Sequence, residues 1–133
     1  MKTTALIEKG KDGTFGIFTP DINHTIIGEG NTVAEAKADF ENSVKEMILS
    51  YTETNREIPD ELKDIEFEYK FDMSSLFNYY DWINTTKFAK TASINSSLMR
   101  QYKTGKVYIS DTQTRRIENA LHRLGKELTA VKL

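Results

Sequence analysis

The strongest helix signal in this sequence lies between residues 33 and 51, where apolar side chains recur at helical spacing. Charged residues fill the positions between them, as expected for a helix with one buried face. Thr32 and Glu35 have the spacing of a capping box at the start of this stretch, and Pro59 limits where it ends. The apolar stripe consists of Val33, Ala36, Phe40, Val44, Met47, Ile48 and Tyr51.

Several short runs around this helix have β-strand character. The runs 3–9 and 14–19 flank GKDG, whose glycines and aspartate favour a tight hairpin, and a third short run, HTIIGEG, ends with glycines. After the helix, IEFEYKF at 65–71 alternates apolar and charged residues without error, which predicts a strand with one covered face. The order β-β-β-α-β predicts a small α+β domain over residues 1–72, with one long helix across a sheet.

Charge divides the chain into two dissimilar halves. Residues 1–73 hold eight Lys/Arg and sixteen Asp/Glu, a net charge of −8, whereas residues 74–133 hold ten and four, a net charge of +6. This split predicts two modules with different partners, the basic one suited to a polyanion. The lack of cysteine excludes disulfides and thiolate metal sites. Because there is also no apolar run of signal-peptide or membrane-span length, we expect a cytoplasmic protein without a membrane partner.

Catalytic motifs are lacking in the acidic half, so we predict that the protein is not an enzyme and uses no metal or cofactor. The two histidines, His24 and His122, fall in different halves, and His24 is interpreted as a turn residue. One alternative is a metal-dependent nuclease on the sheet, although no pattern fixes two carboxylates on adjacent strands. Its candidate ligands would be Asp12, Asp21, Glu29 and Asp39.

The basic half, residues 73–133, predicts an all-α domain. A first helix in DMSSLFNYYDWI would be capped by Asp72 or Ser74, and a second in NTTKFAKTA by Asn84 or Thr85. A third helix begins after Asn95 and ends at a glycine. Short helix, four-residue turn and short helix is the spacing of a helix-turn-helix. The apolar residues expected inside are Leu76, Phe77, Tyr80, Ile83, Phe88, Ala89, Ile94, Leu98, Met99 and Tyr102.

The third helix then has a polar outer face near its N-terminus. A recognition helix presents such residues to base edges in the major groove, where Gln pairs with adenine and Arg with guanine. The alternative is an amphipathic helix of a small bundle with a solvated outer face. The candidate base-reading residues are Ser96, Ser97, Arg100 and Gln101, and the candidate phosphate-binding lysines are Lys87, Lys103 and Lys106.

A final helix begins with a second capping box, formed by Ser110 and Gln113. Its apolar residues Ile117, Leu121, Leu124, Leu128 and Val131 follow at spacings of 4, 3, 4 and 3. We expect the first of them to close the helical core. The candidate dimerisation residues are Leu124, Leu128 and Val131, and the arginines expected to contact phosphates or solvent are Arg115, Arg116 and Arg123.

Both halves resemble known domains. The segments DGTFGIFTPD and IIGEGNTVAEAKADFENSVKEMI resemble the HicB antitoxin family, in which G-x-T-x-x-EA precedes a long helix on a partial ribonuclease-H-like fold. Gly30, Thr32, Glu35 and Ala36 match that signature. The segment TTKFAKTASINSSLMRQYKTGK resembles the helix-turn-helix of phage-repressor-type regulators. Two departures are PDINHTII, where many members have a PDLPGC-like stretch, and Ser93, where repressor-type turns usually have glycine.

The resemblance implies an antitoxin that masks a HicA-type, mRNA-cleaving ribonuclease toxin and represses its own operon by binding double-stranded operator DNA. We expect a homodimer or higher oligomer, because one recognition helix reads only a few base pairs and two-fold pairing doubles the site. The acidic half suits a basic toxin. An alternative is a stand-alone helix-turn-helix regulator whose N-terminal domain serves oligomerisation or another partner. The resemblance places base readout at Ser96, Ser97 and Gln101, with Arg100 adjacent, and phosphate contacts at Thr85, Thr86, Lys103 and Lys106. It also requires Ser93 to adopt a left-handed conformation, at a cost of roughly 1 kcal/mol.

Overall fold

The computed structural model describes residues 2–107 and 109–133. These residues contain a four-stranded sheet and five α-helices, which confirms the predicted mixed α+β class. The chain forms two compact units, Met1–Ser75 and Leu76–Leu133. Among the described residues, no helix combines the length and apolar character needed to cross a bilayer.

The first unit is built from a sheet with strand order β3-β2-β1-β4 and one long helix. Strand β1 pairs antiparallel with β2 and parallel with β4, and β2 pairs antiparallel with β3. The parallel pair arises because helix α1 carries the chain back across the sheet before β4 begins. The elements are β1 Lys2–Lys9, β2 Phe15–Phe18, β3 Ile27–Gly30, α1 Val33–Glu53, a 3₁₀ turn Asp60–Leu62 and β4 Glu66–Phe71.

The turn between β1 and β2 has the chemistry that its sequence indicates. Gly13 has a left-handed φ of 84°, and the amide of Gly10 donates to the carbonyl of Thr14 at 2.8 Å. The Asp12 carboxylate accepts from the Thr14 hydroxyl at 2.7 Å and from the Thr14 amide at 3.0 Å. These hydrogen bonds lower the pKa of Asp12, and the Asp12 carboxylate stabilises the turn.

Helix α1 lies unusually close to strand β3 because that strand carries glycines where side chains would collide. A Cβ at Gly28 would lie 2.4 Å from the amide nitrogen of Phe40, and one at Gly30 would lie 2.6 Å from that of Ala36. Phe40 is fully buried, and its ring packs edge-on to Phe67 with centroids 4.9 Å apart. The core therefore sits between α1 and one face of the sheet. Its buried members are Ala5, Ile7, Phe15, Ile17, Ile26, Ala36, Phe40 and Leu62.

The start of α1 follows the predicted capping pattern with one difference. The Thr32 hydroxyl accepts from the amide of Glu35 at 3.1 Å, as in a capping box. The Glu35 carboxylate accepts from the amide of Asn31 at 2.8 Å, one residue earlier than the standard box. The two bonds tie Asn31 and Thr32, which follow β3, to the first turn of the helix.

The helices of the second half are α2 Met73–Tyr79, α3 Thr85–Thr91, α4 Ser96–Thr104 and α5 Asp111–Thr129. Asp72 caps α2, since its carboxylate accepts from the amide of Ser75 at 3.2 Å. Helix α2 ends at Tyr79 and is therefore shorter than its sequence pattern predicts. As a result Tyr80, predicted to be buried, is only half-buried. The buried apolar residues of this half are Leu76, Phe77, Ile83, Phe88, Ala89, Ala92, Ile94, Met99, Tyr102, Ile117 and Ala120.

Candidate nucleic-acid interface

The connection between α3 and α4 is a tight turn of Schellman type. The amide of Ile94 donates to the carbonyl of Ala89 at 2.9 Å, and the amide of Ser93 donates to that of Lys90 at 3.2 Å. Ser93 has a φ of 58°, so the expectation of a left-handed serine in this turn is confirmed. Because Ile94 is buried immediately after it, the turn is anchored in the core and fixes the angle at which α4 leaves.

Helix α4 begins with a side-chain cap. The Asn95 amide oxygen accepts from the backbone N–H groups of Ser97 at 2.9 Å and Leu98 at 3.3 Å, as its sequence position predicts. Met99 and Tyr102 are buried, while Leu98, expected in the core, is only half-buried. Burial of Met99 and Tyr102 fixes the rotation of α4 about its own axis.

That rotation decides which predicted base-reading residues reach solvent. Ser97, Arg100 and Gln101 are exposed, and they lie on the first turns of α4. Ser96, the first residue of α4, was expected to point outward but is half-buried. The outward face of α4 is therefore defined by Ser97, Arg100 and Gln101, and we call these three residues the α4 face.

The predicted phosphate-binding residues differ in their exposure to solvent. Thr86, Lys87 and Lys106 are exposed, whereas Thr85 and Lys103 are half-buried. The sequence has no acidic residue between Asp81 and Asp111. Over residues 2–107 and 109–133, the side-chain ion pairs lie in the first unit: His24 pairs with Glu61, and Lys63 pairs with Glu57 and Asp60. Thr86, Lys87 and Lys106 are therefore the predicted phosphate-binding residues that lie open to solvent.

Two arginines of α5 have a role that the sequence did not reveal. The Arg123 guanidinium donates to the carbonyl of Thr91 at 2.6 Å, and the Arg116 guanidinium donates to the carbonyl of Ser93 at 3.4 Å. Both carbonyls belong to the end of α3 and its turn, where backbone acceptors lack helical partners. Arg116 and Arg123, predicted to contact phosphates or solvent, therefore brace the turn between α3 and α4. Arg115 is exposed.

A groove of about 310 Å³ lies between the start of α3 and α5. Trp82, 65% exposed, stands at its mouth, and Leu124 lines its wall. Sequence reasoning gave Trp82 no role, although the aromatic run YYDW was visible. It placed Leu124 in a dimer seam, but this side chain is half-buried beside α3. Of the three dimerisation candidates, Leu128 on α5 and Val131, beyond the end of this helix, are exposed.

The last turns of α5 stand clear of the helical core. Leu128 is 52% exposed and Val131 is 60% exposed, while the buried side chains of this helix, Ile117 and Ala120, lie in its first half. The helix ends at Thr129, so Val131 is not on a helical stripe as its spacing predicted. A regular coiled-coil seam through Val131 is excluded by this end point.

A second cluster of polar groups lies in the first unit. One ring nitrogen of His24 pairs with the Glu61 carboxylate, and the other lies 3.0 Å from the Tyr51 hydroxyl. The Glu61 carboxylate also accepts from the Asn23 amide at 3.0 Å, and these contacts lower the pKa of Glu61. The cluster ties the loop before β3 to the 3₁₀ turn. Over residues 2–107 and 109–133, no three His, Asp or Glu side chains converge as metal ligands would.

No protein-family model matches the chain, and neither the curated proteins nor the solved structures contain a detectable relative. The class assigned here thus comes from the structure alone: a mixed α+β protein with a four-stranded sheet and five helices in its described residues.

Proposed function

We propose that this protein is a HicB-like antitoxin and transcriptional autorepressor, which binds operator DNA through its helical unit and masks a basic ribonuclease toxin of the HicA type. The observation that carries the DNA-binding part is the α4 face, three exposed polar side chains on a short helix that follows the buried Ile94. Gln101 and Arg100 are the residue types that read adenine and guanine in the major groove. The exposure of these side chains on the first turns of α4 supports the proposal, because a recognition helix presents its N-terminal residues to base edges.

Charge supports the same assignment. The helical half has a net charge of +6, and Lys87 and Lys106 lie exposed on either side of the α4 face in sequence. Lysines contribute sequence-independent affinity by displacing counterions from phosphates, whereas side chains on base edges supply specificity. The two groups of residues thus have separable effects on binding.

The antitoxin part is supported by the charge of the first half and by its resemblance in sequence to HicB. A net charge of −8 over residues 1–73 gives this half a field that attracts a basic, RNA-binding protein. Gly30 and Ala36, two positions of the HicB-like signature, are in close contact where α1 meets β3. A glycine at residue 30 is therefore a physical requirement of this packing.

The first experiment measures binding of the purified protein to the DNA upstream of its own gene, at several salt concentrations and with a scrambled competitor. Gln101→Ala should lower specific affinity by about 1–3 kcal/mol and relax preference at one base position. Lys106→Ala should weaken binding to every sequence alike and reduce the salt slope by about 1. Lys11→Ala, which removes an exposed lysine from the β1–β2 turn, serves as the charge-matched control and should bind as the parent does.

Unchanged sequence preference in the Gln101→Ala variant would refute the α4 face as the reading surface. The antitoxin part is tested separately with the purified product of the neighbouring gene. We expect a small basic ribonuclease whose cleavage of RNA stops on addition of this protein. Specific DNA binding without such a partner would instead support the stand-alone regulator.

A further inference from the structure

The two edges of the sheet differ in how well they are protected. At one edge, β3 has only four residues, two of them glycines, and the amide of Glu29 already donates to the Asp39 carboxylate of α1 at 2.8 Å. At the other edge, β4 has six residues without proline or glycine, and no strand lies beyond it in the described part of the chain. A regular, uncovered edge strand is a template for pairing with another strand.

The backbone hydrogen bonds between β4 and β1 show which groups of β4 point to its free edge. The amide of Asp72, directly after β4, donates to the carbonyl of Ile7 on β1 at 2.9 Å. Backbone groups of successive residues in a strand point to opposite sides, and Phe67 and Tyr69 lie an odd number of residues before Asp72. The amides and carbonyls of Phe67 and Tyr69 therefore point away from β1, toward the free edge.

The side chains of β4 that lie on the α1 side of the sheet are aromatic. Phe67, Tyr69 and Phe71 are half-buried. The Phe67 ring packs edge-on to Phe40 with centroids 4.9 Å apart, and the Tyr69 hydroxyl donates to the Glu41 carboxylate at 3.1 Å. Helix α1 thus holds these rings in place while leaving each of them partly open to solvent.

The side chains of β4 on the opposite side of the sheet are charged and exposed. They are Glu66, Glu68 and Lys70. A second copy of β4 that runs antiparallel, with Tyr69 opposite Tyr69, brings Glu68 opposite Lys70 twice. Centring the pair on Glu68 or on Lys70 instead would set that residue against itself, and like charges directly opposite each other are destabilising. In the favoured register Glu66 lies opposite Asp72, whose carboxylate is engaged as the cap of α2.

We propose that β4 pairs antiparallel with β4 of a second copy, with Tyr69 opposite Tyr69, so that two four-stranded sheets join into one. The backbone groups of the two Tyr69 residues exchange two hydrogen bonds across the new ladder. Glu68 and Lys70 form two cross-strand ion pairs on one side of the sheet, and Phe67 lies opposite Phe71 on the other. The surface is self-complementary, as a two-fold dimer interface requires.

Disulfide crosslinking tests the register. The sequence has no cysteine, so introduced cysteines give unambiguous products. Opposite residues of a non-hydrogen-bonded antiparallel pair have Cα atoms about 4.5 Å apart, which suits a disulfide. Glu68→Cys and Lys70→Cys proteins are mixed under mild oxidation, and the linked peptides are identified by mass spectrometry. We expect the 68–70 disulfide to exceed 68–68 and 70–70. Glu29→Cys, an exposed glutamate on the other edge strand, replaces Glu68→Cys as the matched control and should give no 29–70 product.

Charge exchange tests the ion pairs, with the dimer dissociation constant measured by sedimentation at low salt. Glu68→Lys and Lys70→Glu should each weaken the homodimer about tenfold, because both cross-strand pairs become like-charged. A mixture of the two variants should form a heterodimer about as stable as the parent dimer, since each pair again joins opposite charges. Glu29→Lys makes the same charge change on β3 and should leave the dissociation constant unchanged.

A parent chain that sediments as a monomer, or a dimer that gives no 68–70 product, would overturn the proposal. Dominant 68–68 crosslinks, or a mixture of the charge variants that dimerises no better than either variant alone, would overturn the register and the ion pairs. Neither measurement involves DNA. Specific DNA binding without the 68–70 contact would therefore refute this interface and leave the proposed function standing, whereas the 68–70 crosslink without specific DNA binding would do the reverse.

Discussion

Gly28→Ala should destabilise the protein strongly, although it adds only a methyl group to a strand residue. The new Cβ would lie 2.4 Å from the amide nitrogen and 2.5 Å from the Cα of Phe40. These are backbone atoms of α1, so no side-chain rotation relieves the overlap. To reach ordinary contact distance, the helix must move away from β3 by about 1 Å, which loosens a core that is packed to crystal-like density.

The magnitude follows from comparing this overlap with other overpacked cores. Inserting a methyl group into a filled core costs about 1–3 kcal/mol, and a clash with backbone belongs at the upper end. Because alanine has fewer conformations than glycine in the unfolded chain, the substitution also stabilises the folded state by about 0.4–1 kcal/mol. A net loss of about 2 kcal/mol is a large part of the roughly 5–15 kcal/mol that stabilises a domain. It should lower the melting temperature by about 10 °C.

The assay is urea unfolding followed by circular dichroism, with Gly16→Ala as the matched control. Gly16 lies on the neighbouring strand β2, and a Cβ there meets nothing within 4 Å. This control should leave the free energy of unfolding unchanged or raise it by up to about 1 kcal/mol. Equal stability of the two variants, within about 0.5 kcal/mol, would refute the close approach of α1 and β3 as the reason for glycine.

Three further predictions use other elements. Ser93→Gly should raise the free energy of unfolding by about 0.5–1 kcal/mol, since glycine adopts the left-handed conformation without the Cβ penalty. Asn119→Gly, inside α5, should lower the free energy of unfolding, and urea titration of both variants checks the two signs. Asn95→Ala should cost about 1 kcal/mol in the same titration because α4 loses its cap. Burial and the Glu41 charge raise the pKa of Tyr69 to about 12, above its ordinary value of 10.0. This contribution to the free energy of unfolding should therefore be intact below pH 10 and fall as the pH rises through 12. Unfolding measured across this range should show no such loss in the Tyr69→Phe variant. An identical loss in that variant would contradict the assignment to Tyr69.

Local signals in the sequence predicted local structure well. The caps at Thr32 and Asn95, the alternation over 65–71 and the serine in the turn of the helical half all appear in the structure. Each of these depends on residues a few positions apart, so a pattern in the chain carries the information. Burial was less predictable: Ser96, expected outside, and Leu98, expected in the core, are both half-buried.

The roles of Arg116 and Arg123 could not be predicted for the same reason. Their hydrogen bonds span 23 and 32 residues, and in the sequence these arginines look like any exposed cation on a helix. The groove beside Trp82 likewise forms only where α3 and α5 meet. When a candidate site is assembled from separate helices, only the tertiary structure shows which residues face solvent and which ones hold the helices together.

The sequence by itself determined the order of the helices and strands, the charge of each half and the capping residues of α1, α4 and α5. These properties follow from periodicity, capping and composition, which act over a few residues. Only the tertiary structure decided that β1 lies between β2 and β4, that the backbone of Phe40 leaves no room for a side chain at residue 28, and that Arg116 and Arg123 brace the turn after α3. Register and close approach depend on which distant segments share a core, because burial is a property of the assembled fold.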